Sequence, residues 1–331
     1  MRFRHTILIF VLIVFACKPQ QDISNSIPEK TLSPDSIISP IPISEAGRGA
    51  LLLTSFRSMD ELSTVVDFEY TPAHKSFPAL FGKEQSHTIH RSGGHEVVST
   101  LKKGTTEADI IRARTGNLWD KIVVGFKCPY AVINRKKLMS IECLGRKKRV
   151  FGKGDIAFYD LAETMVYNIA EDDLSKMSAA ELSGKGYLNT FNHVVAQAFI
   201  TTLFSERFAD FVADVHERNR LPELITGKFT EHQMTDLDNG PVDNYIDMVN
   251  NEWGQELGQA LRKKYKIHTD THWTPGLLTN YMNDLQDYHS WAFQIRFRPF
   301  RATDDMMIRF ANKINAVKEL VENYNPSKPI Y

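Results

Sequence analysis

The sequence PVDNYIDMVNNEWGQELGQALRKKY spans residues 241–265 and indicates a long helix. Apolar residues at three- and four-residue spacing form one stripe along it: Val242, Ile246, Val249, Trp253 and Leu257. A neighbouring stripe carries carboxylates, carboxamides and glycines: Asp243, Asp247, Asn250, Asn251, Gly254 and Gly258. Glycine inside a helix costs about 1 kcal/mol relative to alanine, so two glycines near one another indicate close packing against a neighbour. The polar stripe is therefore predicted to face the interior.

Two further predicted helices carry polar residues near their apolar faces. On the helix over 189–204, His193 lies on the apolar side. On the helix over 205–220, His216 and Glu217 lie next to alanines, which leave room for another element to approach. Three consecutive helices are thus predicted to present polar groups to one another.

These helices together supply a candidate site. Its catalytic or ligand-binding residues are His193, His216, Glu217, Asp247, Asn250 and Asn251. Two imidazoles and two carboxylates either ligate a divalent metal, with His193, His216 and Asp247 as the candidate ligands, or divide general acid and base work. The asparagines would orient these groups or donate hydrogen bonds to a developing oxyanion. A buried structural network of hydrogen bonds is the alternative explanation.

Motifs in residues 189–254 resemble an uncharacterised bacterial family. They are Asn192-His193 with Ala196, then Ala213-Asp-Val-His216-Glu217, then Asp247-Met-Val-Asn250-Asn251-Glu-Trp-Gly254. The family's motifs run R-H-A, A-H-E and M-D-x-x-N-N-x-x-G, in domains of secreted and surface proteins and at the C-termini of some polymorphic toxins. This chain differs in having Asn192 where arginine is usual and a longer insertion over 220–241. The resemblance implies no particular activity.

The predicted fold class is α+β, with a small mixed N-terminal region over 45–150 followed by a mainly α-helical domain over 151–331. Short apolar runs in the first region, at 51–53, 122–126 and 130–133, are interrupted by Gly, Pro and His and favour short strands. In the second region the helical spacing extends over roughly 155–172, 189–204, 205–220, 241–265, 276–296 and 303–323.

A disulfide between Cys128 and Cys143 is predicted in the first region. These cysteines flank the runs 130–133 and 138–141, which we interpret as a hairpin around a polar turn. Disulfides persist outside the cytoplasm, and a bridge closing this short loop would contribute about 3 kcal/mol. Two free buried thiols are the alternative.

The N-terminus has the pattern of a lipoprotein signal. Arg2 and Arg4 precede an apolar run over 7–16, which is too short to span a bilayer, because a spanning helix needs about 20 residues. The run ends in Val14-Phe-Ala-Cys17, which looks like the lipobox that lipoprotein signal peptidase cuts. We predict a signal peptide over 1–16 and lipid on Cys17. An ordinary signal peptide followed by an incidental cysteine is the alternative.

Residues 17–44 are predicted to be a disordered tether. They are rich in Pro and Ser, a composition that cannot bury a core. The residue after Cys17 is Lys18, not the Asp that would resemble an inner-membrane retention signal, so the outer membrane is favoured. The domain is therefore expected outside the cytoplasm, anchored to a bacterial membrane through its N-terminal lipid.

The chain has no net excess of positive or negative charge. The chain has 40 basic and 40 acidic residues, so no nucleic-acid partner is expected. A basic cluster comprises Arg135, Lys136, Lys137, Arg146, Lys147, Lys148 and Arg149. It would touch lipid headgroups or an acidic partner, although a solvated strand edge explains it equally well.

Two functions follow from these patterns. The first is a membrane-anchored lipoprotein whose helical domain has an interaction or structural role toward an unknown protein or small-molecule ligand. The alternative is a hydrolase, metal-dependent or acid-base, that uses the His, Glu, Asp and Asn cluster, with a divalent metal as its cofactor in the metal-dependent form. The motifs of serine hydrolases, zincins, P-loop proteins and dinucleotide-binding enzymes are absent from the sequence.

Overall fold

A computed structural model describes the chain from residue 49 to residue 322. It leaves out the ranges 72–84, 93–94, 103–104, 148–153, 219–229 and 232–239. The predicted signal peptide over 1–16 and the tether over 17–44 lie outside the described residues. Within the described part, no helix is both long and apolar enough to cross a membrane.

Helices account for most of the described structure. After a 3-10 turn at Leu53–Ser55 they are α1 (Met59–Leu62), α2 (Glu107–Thr115), α3 (Leu118–Lys127), α4 (Pro129–Ile133), α5 (Arg135–Gly145), α6 (Phe158–Tyr167), α7 (Glu171–Leu174), α8 (Tyr187–Leu203), α9 (Glu206–Arg218), α10 (Pro241–Lys264), α11 (Pro275–Phe293) and α12 (Asp305–Glu322). The most extensive packing joins α8 to α10, and both also contact α9.

Three strands add a small antiparallel sheet in the order β1-β2-β3. They are β1 (Val66–Thr71), β2 (Gln85–Ser92) and β3 (His95–Lys102). Val66 pairs with Ser92, and Ser92 pairs with His95. The third strand lies beside α9.

The predicted α+β class is wrong, because the described chain is mainly α-helical. The runs 122–126, 130–133 and 138–141, which were expected to be strands, lie in α3, α4 and α5. An apolar run of four or five residues does not distinguish a strand from a helix. Local start signals decide it here: a capping box of Asn117 and Asp120 begins α3, and Pro129 occupies the first turn of α4.

The same error invalidates the predicted disulfide. Cys128 lies at the junction of α3 and α4, and Cys143 lies within α5, so the two do not face each other across a hairpin. Both are buried and free in the structure. The alternative of two free thiols is the one observed.

The helical prediction for the C-terminal half is confirmed. The segments predicted over 189–204, 205–220 and 241–265 correspond to α8, α9 and α10. Every residue of α8 except Leu188 is buried, as expected for a helix surrounded by others. The basic last turn of α10, residues 262–264, complements the partial negative charge at a helix C-terminus.

The two glycines of α10 face α8, which confirms the close packing predicted for them. A Cβ atom at Gly254 would lie 2.6 Å from the carbonyl oxygen of Val194. A Cβ atom at Gly258 would lie 2.5 Å from the carbonyl oxygen of Ala198. The absence of side chains at these positions thus allows the backbones of α8 and α10 to approach, and it brings their polar residues within reach of one another.

Candidate metal centre

Three helices bring one histidine and two carboxylates together in the core. His193 lies on α8, Glu217 on α9 and Asp247 on α10, and one ligand atom of each lies within 4.8 Å of the other two. His193 is 0% exposed, and Glu217 and Asp247 are each 2% exposed. An imidazole with two carboxylates is a set of ligands that proteins use for divalent metal ions. We call these three residues the His-Glu-Asp group.

Asn251 determines which nitrogen of His193 faces the carboxylates. The Nδ2 of Asn251 donates to Oε1 of Glu217 over 3.4 Å, so its Oδ1 is directed to His193. The Nδ1–H of His193 donates to that oxygen over 2.9 Å. Its Nε2 lies 3.1 Å from Oδ1 of Asp247, where a protonated imidazole pairs with this carboxylate and an unprotonated nitrogen is available to a metal. A metal-binding histidine is commonly held in this way, with one ring N–H bonded to an oxygen and the other nitrogen facing the metal.

Asn189 holds the carboxylate of Asp247. Its Nδ2 donates to Oδ1 of Asp247 over 2.8 Å. Asn189 precedes His193 by one helical turn, so both side chains lie on the same face of α8 and contact the same carboxylate. The sequence prediction omitted Asn189, although this four-residue spacing from His193 was visible.

The charges of the group shift two pKa values. Burial alone would lower the pKa of His193, but the attraction of Asp247 and Glu217 raises it to about 9. Burial raises the pKa of Asp243 to about 7, and the negative charge of Asp247 adds to this effect, while Lys185 opposes it. Without a metal, the His-Glu-Asp group therefore contains a protonated imidazole at neutral pH.

His216 lies outside the His-Glu-Asp group. Its Nδ1 is 2.8 Å from Oε1 of Glu107, which belongs to α2. Consecutive side chains on a helix point about 100° apart, so α9 directs Glu217 toward α8 and α10 while His216 faces α2. The predicted metal ligands His193, His216 and Asp247 are thus corrected at one position, where Glu217 replaces His216.

Asn250 also contacts a different part of the molecule. Its Oδ1 accepts from the backbone N–H of Leu51 over 2.7 Å, and its Nδ2 donates to the carbonyl of Leu51 over 3.0 Å. The hydroxyl of Thr190 donates to the same carbonyl over 2.9 Å. Asn250 therefore fastens the start of the described chain to α10, whereas its neighbour Asn251 serves the His-Glu-Asp group.

Comparisons with known proteins provide no relative for this chain. No family model, no curated protein and no solved structure matches it. The resemblance of residues 189–254 to the family with R-H-A, A-H-E and M-D-x-x-N-N-x-x-G motifs stays a prediction.

Proposed function

We propose that the chain is a membrane-anchored lipoprotein whose helical domain binds a divalent transition-metal ion between His193, Glu217 and Asp247. The observation that carries this proposal is the convergence of their ligand atoms within 4.8 Å. With neutral His193, the two carboxylates give the group a charge that a divalent ion neutralises. Without the ion, the protonated imidazole of His193 offsets the charge of one of these carboxylates.

The positions of the three proposed ligands favour a structural or ligand-binding role for the domain. One ligand comes from each of α8, α9 and α10, so the ion would link the helices that form the core. The hydrolase remains the alternative proposal, because three protein ligands leave a coordination position for a water molecule. It requires access for substrate to ligands that are at most 2% exposed. Structural metal binding needs no such access.

Metal binding should depend on Glu217 and not on the adjacent His216. We expect the purified protein to bind about one equivalent of Zn²⁺ or Mn²⁺. Glu217→Gln should weaken metal affinity by more than about 100-fold, because removing even a residue that only contacts a metal ligand lowers metal affinity about 10- to 100-fold. Elemental analysis and titration of the metal-stripped protein measure this. Glutamine keeps the size of glutamate, so the change removes the ligand charge with little change in packing.

His216→Ala is the matched control for that experiment. His216 is next to Glu217 in sequence but pairs with Glu107, so the alanine variant should keep the metal affinity of the unmodified chain. Equal loss of affinity in both variants would assign the effect to general damage of α9. A protein that stays metal-free during titration with Zn²⁺, Mn²⁺ and Fe²⁺ would refute the proposal.

The lipid anchor has a separate test. We propose that lipid on Cys17 anchors the domain to a bacterial membrane outside the cytoplasm, with the outer membrane favoured by Lys18. Cys17→Ala should abolish fatty-acid labelling of the chain and weaken its attachment to the membrane fraction, measured by metabolic labelling and by immunoblotting after fractionation. Cys128→Ala is the control and should stay in the membrane fraction, because Cys128 is a buried internal thiol. Lack of metabolic labelling of the unmodified chain by a fatty acid would contradict lipidation.

A further inference from the structure

Helix α3 exposes its apolar face to solvent instead of burying it. The exposed apolar residues of this helix are Leu118, Trp119, Ile122, Val123 and Phe126, with Phe126 90% and Trp119 74% exposed. Ile133, at the end of the adjacent α4, is also exposed. Surface helices of globular proteins normally direct such residues to the core. We call these six residues the α3 patch.

The arrangement around the helix axis makes the α3 patch a continuous surface. At about 100° per residue, the five residues of α3 occupy an arc of about 140°. The buried Val124 lies on the opposite side and attaches the helix to the core. The capping box of Asn117 and Asp120 fixes the start of the helix. The patch is therefore a built, amphipathic face of the fold, and contiguous exposed apolar patches of this kind mark interaction surfaces.

Exposed basic side chains lie beside the patch. Residues 112–137 contain seven basic residues and one acidic residue; of the seven, Arg114 is buried in an ion pair with Glu142, and Lys127 pairs with Asp109. Lys121 is partly exposed on α3, and Arg135 is exposed immediately after Ile133. The acidic residue, Asp120, is engaged in the helix cap. An apolar face that contains tryptophan and phenylalanine and has a basic border is the pattern of helices that lie in a lipid interface.

We propose that α3 docks on an anionic lipid surface, inserting the α3 patch among the acyl chains while the neighbouring basic residues contact the headgroups. The inference rests on the lipid-anchor part of the proposed function and is independent of metal binding. The 31 residues between Cys17 and Gly49 could extend to about 105 Å, so the tether permits any face of the domain to reach the membrane. The α3 patch and its basic border favour one particular face for this contact. A second copy fits less well, because a twofold contact would oppose like charges.

The experiment uses the polypeptide from Lys18 to Tyr331, which lacks Cys17 and therefore the lipid. We expect it to sediment with vesicles of equal parts phosphatidylcholine and phosphatidylglycerol at least about tenfold more strongly than with phosphatidylcholine alone. Exchanging two exposed apolar residues, Val123→Ser with Phe126→Ser, should reduce binding to the anionic vesicles by at least about tenfold. Leu182→Ser is the matched control, since Leu182 is an exposed apolar residue outside the patch. The fluorescence emission of Trp119 should shift to shorter wavelength when vesicles are added. This shift should be absent in Trp119→Phe.

Three results would overturn the proposal. These are no binding of the unmodified polypeptide to the anionic vesicles, equal binding by the Val123 and Phe126 double variant, and a dimer in vesicle-free solution that the double variant dissociates. The last would assign the patch to a second copy. Thermal unfolding of each variant checks that the fold is kept, which the exposure of both residues favours. Failure here leaves the lipid-anchor proposal standing, because fatty-acid labelling at Cys17 reports lipidation independently of the α3 patch.

Discussion

Alanine at Gly254 is expected to destabilise the domain by about 3 kcal/mol, because overpacking a close contact costs about 1–3 kcal/mol or more. The added Cβ would meet the carbonyl oxygen of Val194 at 2.6 Å and Cβ of Gln197 at 2.7 Å. Backbone atoms cannot rotate away, so α8 and α10 must separate. The separation would also disturb the His-Glu-Asp group, whose members lie on these helices and on α9. Urea unfolding of the metal-free protein measures the loss of stability, and metal titration measures the loss of affinity.

Gly125→Ala is the matched control, because nothing lies within 4 Å of a Cβ atom at this position in α3. Alanine there should raise the free energy of unfolding by up to about 1 kcal/mol through helix propensity alone. Gly258→Ala should behave like Gly254→Ala, since its Cβ would lie 2.5 Å from the carbonyl oxygen of Ala198. The double variant should lose less than the sum of the two, because one separation of the helices accommodates both methyl groups. Wild-type stability in Gly254→Ala would refute the packing argument.

The glycine positions illustrate what the sequence could predict. Helical spacing over more than ten residues identified α8, α9 and α10, and glycines beside a polar stripe on α10 correctly indicated close packing with a neighbour. The spacing of apolar residues did not predict the secondary structure correctly where the apolar runs were short. The run over 122–126 resembles a buried strand, yet it lies in α3 and three of its residues, Ile122, Val123 and Phe126, are exposed. No rule based on burial predicts a helix whose apolar face is turned outward.

The site was predictable to the level of a helix face but not of an individual residue. His193 and Asp247 were expected together, and they are 3.1 Å apart. The choice between His216 and Glu217, as between Asn250 and Asn251, depends on a rotation of about 100° around the helix axis. That rotation is set by the contacts of α9 and α10 with other elements, such as Glu107 on α2 and the backbone of Leu51. Both partners are more than 100 positions away in the chain, so local sequence patterns contain no information about them.

The stability of the metal-free protein is expected to fall as pH rises from 6.5 to 9. The carboxylates of Asp247 and Glu217 raise the pKa of His193 to about 9 against the lowering effect of burial, whereas an unfolded chain has a histidine pKa of about 6.5. The folded protein thus keeps a proton that the unfolded chain loses. Its contribution to stability is fully present below pH 6.5 and lost as the pH passes about 9, with a loss of roughly 3 kcal/mol.

Asp243 acts in the same direction over a lower range. Burial and the charge of Asp247 raise the pKa of its carboxyl to about 7, despite the opposing charge of Lys185. The folded protein therefore favours the protonated carboxyl, and this contribution falls between about pH 4 and pH 7. Buried His289 acts oppositely at acid pH, because burial lowers its pKa to about 4. Between pH 7.5 and 9 these two groups have largely completed their changes, whereas Glu252, whose pKa is raised well above its usual value by burial and nearby carboxylates, acts in the same direction as His193.

A bound metal should reverse this dependence, and the reversal separates a metal site from a buried ion pair. The ion needs the unprotonated Nε2 of His193, so its affinity rises as the proton is removed, and ligand binding to the folded state adds to stability. With Zn²⁺ in excess, the free energy of unfolding should therefore stay level or rise from pH 7.5 to pH 9, while the metal-free protein loses stability. Asp247→Asn removes the main charge that holds the proton and one ligand of the ion. In that variant, the free energy of unfolding should depend less on pH, both with and without Zn²⁺, as measured by urea unfolding at each pH. A metal-free protein that gains stability over this range, or an unchanged slope in Asp247→Asn, would show that His193 is not the titrating group.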